Sequence, residues 1–491
     1  MRACCSLAIL AAWSCLHARP AAAADPPKLA PEIQSLIDFS HAAPPEFAAD
    51  ALLRIVESGR IESPDVRRDL VEQAFQLAAH AGEPMRRVPL PGSQADTRAG
   101  YRGAALKLGL DALSLECRAI RQMLRLDKAR ARELFTSLTK PALDPLGCES
   151  ALLYDLDDFY STLGQIVAST FKPDEIRRGE PAQFLAMYIG RITAHAELAP
   201  AARVIGSAEL PPAGLEVAAG TFLSRLGSMP SDDRSFSVAV TALQTAIEAL
   251  SESMLRQGVA NAGLIRAFHD YLISNLSGPR CEDNAGSRSP GRTPATAAVV
   301  EWYNYRFHGD APLIRREETR PSRVDGSAKI ERYWTSAAAK QIMADARNLR
   351  FNAQDRPLSD AERDTLEWSN SLTEVLTEVD NWKAGDEASE ADYFHQKSIV
   401  YEAMLELAPA GGLRDRILGA YVAFLANSSL QQDSPVEWFW HAQSTLSRLR
   451  NASGGGAERL LAEFRRSGNP VLALYANLET TLPSSPFWQV R

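Results

Sequence analysis

The sequence predicts an all-α fold, and three observations carry that prediction. Apolar residues recur at steps of three and four along most of the chain, a spacing that gives a helix one apolar face. Proline and glycine interrupt this pattern at short intervals, as they do where helices end in turns. Alternating apolar and polar runs of strand length, joined by the turns of β-hairpins, are nearly absent.

Residues 1–24 have the composition of a secretory signal peptide. Arg2 precedes an apolar stretch at 7–16, and a run of alanines follows at 21–24, where we expect cleavage. A buried helix is disfavoured because prolines follow the stretch, and a membrane span needs about 20 apolar residues. No later segment has 18 consecutive apolar residues. We therefore expect a soluble, exported chain in the periplasm or the medium.

The helical pattern divides into two long regions. Residues 29–277 begin with three helices within 31–82 and continue as a series of amphipathic helices, one of which shows a stripe from Leu106 to Leu124. Asp127 has the position of a cap that opens the next helix. Residues 278–328, rich in Gly, Pro and Arg, have the composition of a connection, and 329–482 resume the helical pattern.

Antiparallel helices with short loops form either bundles or stacked hairpins. This length exceeds what one bundle core accommodates, so the sequence predicts a degenerate α-solenoid or two helical-bundle domains. Neither the tetratricopeptide nor the ankyrin repeat signature is present. Within the connection, the apolar segment 298–307 is compatible with a short helix or a strand.

Three cysteines follow the leader. Cys117 lies in a helical apolar pattern and is predicted to be a core residue. Cys148 and Cys281 lie in loops that contain Gly and Pro, and an oxidising compartment favours a disulfide between them. The alternative is three free thiols. No Cys/His cluster suggests a metal site.

Charge and motifs exclude several classes of function. With 53 basic and 61 acidic residues, the net charge of −8 disfavours nucleic-acid binding. Phosphate-binding glycine loops, the H-E-x-x-H zinc motif and the G-x-S-x-G nucleophile motif are absent, so the sequence indicates no cofactor and no catalytic residue. The acidic segment at 155–158 lacks the glycine and glutamate of a calcium loop and is predicted to be a polar helix face.

An aromatic and basic group around the connection is the candidate binding surface. Trp, Tyr and Arg are enriched at the centres of protein interfaces. The group consists of Trp302, Tyr303, Tyr305, Arg306, Phe307, Tyr333 and Trp334. The alternative is that these rings pack the connection onto the helices.

Three functions fit these features. The sequence favours a non-enzymatic exported scaffold that binds a protein or peptide partner in the cell envelope. The alternatives are an all-α enzyme that acts on cell-wall or sugar polymers with Asp and Glu as acid and base, and a structural envelope protein without a small ligand. A deep cleft with convergent carboxylates distinguishes the enzyme, and an apolar groove distinguishes the scaffold. The oligomeric state leaves no signature in the sequence.

Overall fold

The structure is a computed structural model and describes most of the chain. The described residues are 29–90, 97–138, 143–147, 149–230, 235–277, 279–281, 295–309, 311–319, 322–324, 337–385, 390–409, 411–428, 434–451 and 455–482. The signal peptide predicted at 1–24 lies outside them. In the described part the fold is all-α, as predicted, with 22 α-helices and two small sheets of two strands each.

The first fourteen helices cover the N-terminal region and the segment at 298–307, which is helical. They are α1 Pro31–Ser40, α2 Pro45–Glu57, α3 Pro64–Ala78, α4 Arg98–Leu106, α5 Ala112–Leu126, α6 Lys128–Ser137, α7 Asp157–Ser169, α8 Pro173–Arg177, α9 Glu180–Ile189, α10 Leu198–Ser207, α11 Pro212–Leu226, α12 Phe236–Arg256, α13 Ala262–Ser277 and α14 Ala295–Phe307.

The other eight helices follow the connection. They are α15 Ala337–Asn348, α16 Asp360–Arg363, α17 Leu366–Asn381, α18 Glu390–Leu407, α19 Gly412–Ser428, α20 Pro435–Asn451, α21 Gly456–Arg466 and α22 Pro470–Thr481. Short 3₁₀ helices lie at His195–Glu197 and Arg316–Thr319.

The strands pair segments that are far apart in the sequence. Strand β1 Arg87–Pro89 pairs antiparallel with β2 Leu152–Tyr154, with Val88 opposite Leu153. Strand β3 Pro279–Cys281 pairs parallel with β4 Ser322–Val324. The predicted connection at 278–328 thus contains a helix and two strands in its described part, and α14 packs against α12 and α13. The domain boundaries stay a prediction.

Local sequence explains most helix starts. Proline opens α1, α2, α3, α11 and α22, because a residue in the first turn needs no N–H bond and the ring fixes a helical φ. Asp127 caps α6 as predicted, accepting a hydrogen bond from the Arg130 amide at 3.0 Å.

The single stripe predicted from Leu106 to Leu124 was wrong. The chain breaks there, because Gly109 adopts a left-handed φ of 66° and Asp111 starts a new helix by accepting from the Ser114 amide at 3.0 Å. Leu106 closes α4, Leu110 lies in the turn, and the stripe from Leu113 onward belongs to α5. The three-four spacing continued across the turn by coincidence, so periodicity alone did not reveal it.

Helices that are near in sequence pack together along each region. In the N-terminal region α5, α7, α10, α12 and α14 form one row, and α9, α11 and α13 form a second row against it. The buried apolar residues of the described chain make one contiguous core from Ile33 to Leu478. The choice between a solenoid and two bundles stays open.

Helices of the N-terminal region contact helices of the C-terminal region at two places. At the first, α22 packs on α1 and α2. We call its buried polar group the arginine junction: Asp50, Arg54, Arg118, Tyr475 and Glu479.

At the second place, α4 packs on α20. We call its polar group the histidine junction: Tyr101, His395, Glu402 and His441. Gly103 lets the other side of α4 lie directly against Pro89 of β1, because any Cβ at that position would collide with the proline ring. Helix α4 is therefore held between β1 and α20. None of the described helices has the length and apolarity needed to cross a bilayer.

Candidate functional site

An open cleft lies between α6, the end of α7, α8 and α9. Its volume is about 790 Å³, within the range of roughly 300 to 1,000 Å³ that ligand pockets have. Side chains of α6, α8 and α9 line it, together with Phe171 from the turn after α7. No sequence pattern indicated this cleft, since its apolar residues belong to separate segments.

The floor of the cleft is apolar and aromatic. The rings of Phe171 and Phe184 meet edge to face with centroids 5.6 Å apart. Phe184 also contacts Phe135 of the core, with centroids 6.4 Å apart, and this contact anchors the floor. Met187 lies beside them and is 42% exposed. A flexible thioether next to fixed rings is a surface that adapts to apolar groups of different shape.

The rim is charged, and its carboxylates already have arginine partners. Glu133 pairs with Arg130 at 2.9 Å, and Glu180 pairs with Arg178 at 2.7 Å. In an all-α enzyme that cleaves sugars, one carboxyl of a pair must hold a proton near neutral pH. Both carboxylates of the rim are therefore engaged in ion pairs.

Glu175 shows the same arrangement most clearly. Its carboxylate accepts from Arg132 at 3.0 Å and from the Lys172 amide at 2.6 Å, and these bonds hold its pKa below the usual value. The Arg132 guanidinium also lies over the Phe171 ring, 4.6 Å from its centroid. The geometry of the cleft therefore suits binding of an apolar group under a polar rim rather than acid-base catalysis.

The strongly perturbed carboxyls of the N-terminal region lie elsewhere. Burial raises the pKa of Asp111 to about 6, and burial with the charge of Asp111 raises that of Glu116 to about 7. Asp111 is only 1% exposed and caps α5. Its second oxygen has no hydrogen-bond partner among the described residues. A carboxyl enclosed in this way has a structural role and no path to a substrate.

The predicted aromatic binding surface is divided between core and surface. Tyr303 and Phe307 are each 1% exposed and contact one another, and Tyr303 also contacts Phe268, which matches the alternative interpretation for these two rings. Tyr305 is 82% exposed on the other face of α14. Arg306 pairs with Glu248 of α12 at 3.0 Å. Of this group, Tyr305 is the ring that α14 presents for contact.

Of the remaining three members of the group, the structure describes only Trp302. Trp302 is partly buried and contacts Phe268 edge to face, with centroids 6.4 Å apart. Tyr333 and Trp334 lie outside the described residues. A binding role for the group stays a prediction.

The cysteines are only partly described. Cys117 is fully buried in α5, as predicted, and burial raises the pKa of its thiol. Cys281 lies in β3, but Cys148 is outside the described residues, so the disulfide between them stays a prediction.

Three histidines, His195, His395 and His441, are buried in the interior. His195 is fully buried and hydrogen-bonds with the Tyr271 hydroxyl and the Pro230 carbonyl, both at 2.7 Å. The sequence did not reveal that His395 meets His441, because they are 46 residues apart. Among the described residues, no three His, Cys, Asp or Glu side chains converge as metal ligands do.

Comparison with protein-family models, with curated proteins and with solved structures gives no match for this chain.

Proposed function

We propose that this protein is an exported binding protein without catalytic activity, which holds a short segment of a partner protein in the cleft between α6 and α9. The observation that carries the proposal is the combination of an apolar floor, formed by Phe171, Phe184 and Met187, with a rim whose carboxylates pair with arginines. Export rests on the signal peptide expected at 1–24.

The floor selects an apolar side chain on the partner. A cleft of this size buries one or two large side chains, and each is worth about 1.5–3 kcal/mol when fully buried. Aromatic or long aliphatic groups contact the faces and edges of the two phenylalanine rings, and Met187 adjusts to the shape of the inserted group.

The rim selects the charge of the partner. Three carboxylates, Glu133, Glu175 and Glu180, line the cleft beside a single lining guanidinium, that of Arg132. The arginines that pair with Glu133 and Glu180 do not line the cleft, so a lysine or arginine next to the apolar anchor reaches the carboxylates first and is favoured over an acidic neighbour. The partner segment that fits this cleft is apolar and basic.

The enzyme alternative receives less support from this cleft. A glycosidase needs one carboxyl that is protonated near neutral pH beside one that is ionised. Glu175 is held ionised by Arg132 and the Lys172 amide, and Glu133 and Glu180 are in ion pairs. The arrangement is that of a recognition surface.

Selection from a phage-displayed library of random peptides tests the proposal, because the library contains every side-chain chemistry. The immobilised mature chain is expected to enrich peptides with aromatic or aliphatic anchors next to Lys or Arg. Met187→Glu places a charge on the floor at an exposed site and is expected to weaken binding of the enriched peptides at least tenfold.

The matched control is Leu255→Glu, which places the same charge at a leucine of α12 that is 57% exposed and distant in sequence from the cleft. This variant is expected to bind the peptides as the parent chain does. Absence of enrichment, enrichment of acidic peptides, or equal loss of binding in both variants contradicts the proposal.

A further inference from the structure

The histidine junction is a place where the N-terminal and C-terminal regions meet through titratable side chains. Tyr101 of α4 lies against His395 of α18, with ring centroids 3.9 Å apart, and against His441 of α20, at 5.1 Å. The Tyr101 hydroxyl donates to the backbone carbonyl of Glu437. Arg98, one turn earlier on α4, pairs with Asp392 of α18. The contact of α4 with the C-terminal helices is therefore built around two imidazoles.

The imidazoles form one hydrogen-bonded chain with a carboxylate. His441 Nδ1 is 2.7 Å from Glu402 Oε1, and His441 Nε2 is 3.1 Å from His395 Nδ1. A carboxylate oxygen accepts, so His441 donates its Nδ1–H to Glu402. His395, Glu402 and His441 are 2%, 3% and 0% exposed.

Surrounding charges make a proton on His395 unfavourable while the junction is closed. Burial of the imidazole has the largest effect, and the neighbouring His441 and the Arg98 guanidinium add to it. Together they hold the pKa of His395 well below 6.5. Asp392 does not offset them, because it is already paired with Arg98.

The other elements packed on α18 direct their charged groups to each other. Tyr421 of α19 and Arg448 of α20 both bond to Glu402, at 3.1 Å. Asp380 of α17 accepts a hydrogen bond from Tyr401 at 2.7 Å. Lys397 donates to the Trp382 carbonyl at 2.7 Å, and burial lowers the pKa of this lysine to about 8. Arg350, just after α15, pairs with Glu406 at 3.6 Å. The carboxylates of Glu402, Asp380 and Glu406 each have a partner of their own.

We propose that the histidine junction is a pH-sensitive closure, in which mild acid protonates His395 and releases α4 from α18 and α20. In the open state the imidazole is in water and takes up a proton near pH 6.5. The closed state excludes that proton, so the closed state is fully favoured above pH 6.5 and loses stability relative to the open state as the pH falls below it. For one such group the opening equilibrium constant rises up to tenfold for each pH unit.

Backbone hydrogen exchange of the parent chain tests this closure. Between pH 7.5 and 4.5, with rates corrected for intrinsic exchange, protection of α4 amides is expected to begin falling below pH 6.5, by at least tenfold at pH 5. Helix α22, whose contacts do not involve histidine, is expected to keep its protection over the same range. Equal protection of α4 at pH 7 and pH 5, or an onset only below pH 4.5, where carboxylates titrate, overturns the proposal.

A variant assigns the effect to the histidine. His395→Gln keeps a neutral side chain that hydrogen-bonds but takes up no proton, and it is expected to retain α4 protection at pH 5. The control is His269→Gln, which alters a histidine beside Asp270 outside the junction and is expected to respond to acid as the parent chain does. An acid response that persists unchanged in a folded His395→Gln chain contradicts the proposal. If this variant does not fold, the onset measured on the parent chain decides.

Discussion

The arginine junction and the histidine junction both join N-terminal helices to C-terminal helices. The first is a network of charged groups, and the second is built around imidazole rings. In the first, the buried Asp50 carboxylate accepts from Arg54 at 2.6 Å, from Arg118 at 2.5 Å and from the Tyr475 hydroxyl. Guanidinium groups stay charged at every ordinary pH, so this junction is stable as a charged network. In the second, the imidazoles of His395 and His441 pack against the Tyr101 ring, and burial holds the pKa of His395 well below its usual value.

The difference gives the two junctions different pH ranges. Burial alone would raise the pKa of Asp50, but the charges of Arg54 and Arg118 and the bond from Tyr475 outweigh it and lower the pKa below 3.8. A carboxyl with a lowered pKa stabilises the fold above its unfolded value and loses that contribution only below about pH 4. The histidine junction weakens below pH 6.5. Mild acid is therefore expected to weaken the histidine junction and to leave the arginine junction intact.

The largest effect is expected from Arg118→Ala. Arg118 bridges Asp50 and Glu57, and its removal leaves Asp50 with less compensation in the interior, at a cost of about 3–5 kcal/mol. Urea unfolding at pH 7 measures the loss. Arg130→Ala, which breaks a mostly exposed pair with Glu72, is the control and is expected to cost less than about 1 kcal/mol. Equal losses in the two variants contradict this account of the junction.

Asp111→Asn tests a carboxyl whose effect on stability has the opposite pH dependence to that of the histidine junction. A folded-state pKa of about 6 means that the ionised Asp111 destabilises the fold above pH 6, and asparagine caps a helix equally well. The variant is expected to be more stable by about 2–3 kcal/mol at pH 8, and by about half as much at pH 5. Urea unfolding at both pH values measures this. A variant that is less stable than the parent chain at pH 8 rules out the interpretation.

Tyr475→Phe removes one bond of the arginine junction and keeps the ring. The hydroxyl donates to the ionised Asp50, and a hydrogen bond to a charge is worth about 1.5–3 kcal/mol. The ring contact with Phe439, with centroids 4.3 Å apart, remains available to phenylalanine. The loss is expected to be about 2 kcal/mol and the same at pH 7 and pH 5. A loss that grows toward pH 5 would mean that this junction also titrates in mild acid.

Arg102→Ala is expected to have the smallest effect. Arg102 pairs with Glu83 at 2.6 Å and Glu437 at 3.4 Å beside the histidine junction, but its side chain is 38% exposed. Pairs of this kind contribute less than about 1 kcal/mol and are weakened by salt. Unfolding at low and high salt measures it. A larger loss that salt does not reduce would show that ion pairs, rather than the histidine cluster, hold α4 in place.

The sequence predicted the features that depend on neighbouring residues. Helical periodicity and the cap at Asp127 are local, and the structure has them. The turn at Gly109 was missed because its flanking leucines preserved the three-four spacing. A capping side chain such as Asp111, which accepts a hydrogen bond from the Ser114 amide, or a glycine within a periodic segment deserved equal weight with the spacing itself.

The junctions and the cleft depend on residues far apart in the chain. Tyr475 and Asp50 are 425 residues apart, and His441 and Glu402 are 39 apart. One sequence contains no signal for such pairs, because each residue alone is compatible with an ordinary helix face. The same reason explains the aromatic group at 302–307: its composition was that of a binding surface, but the helix directs Tyr303 and Phe307 into the core.

The most direct test of the contrast between the junctions is a pair of spin-label distance measurements at pH 7 and pH 5. One pair, Lys107→Cys with Ser447→Cys, spans α4 and α20, and the other, Ser35→Cys with Thr480→Cys, spans α1 and α22; all four positions are exposed. Every cysteine except the buried Cys117 is replaced by serine. The account predicts that at pH 5 the first distance lengthens and broadens while the second keeps its pH 7 distribution. An unchanged first distance, or a second that changes at the same pH, would contradict it.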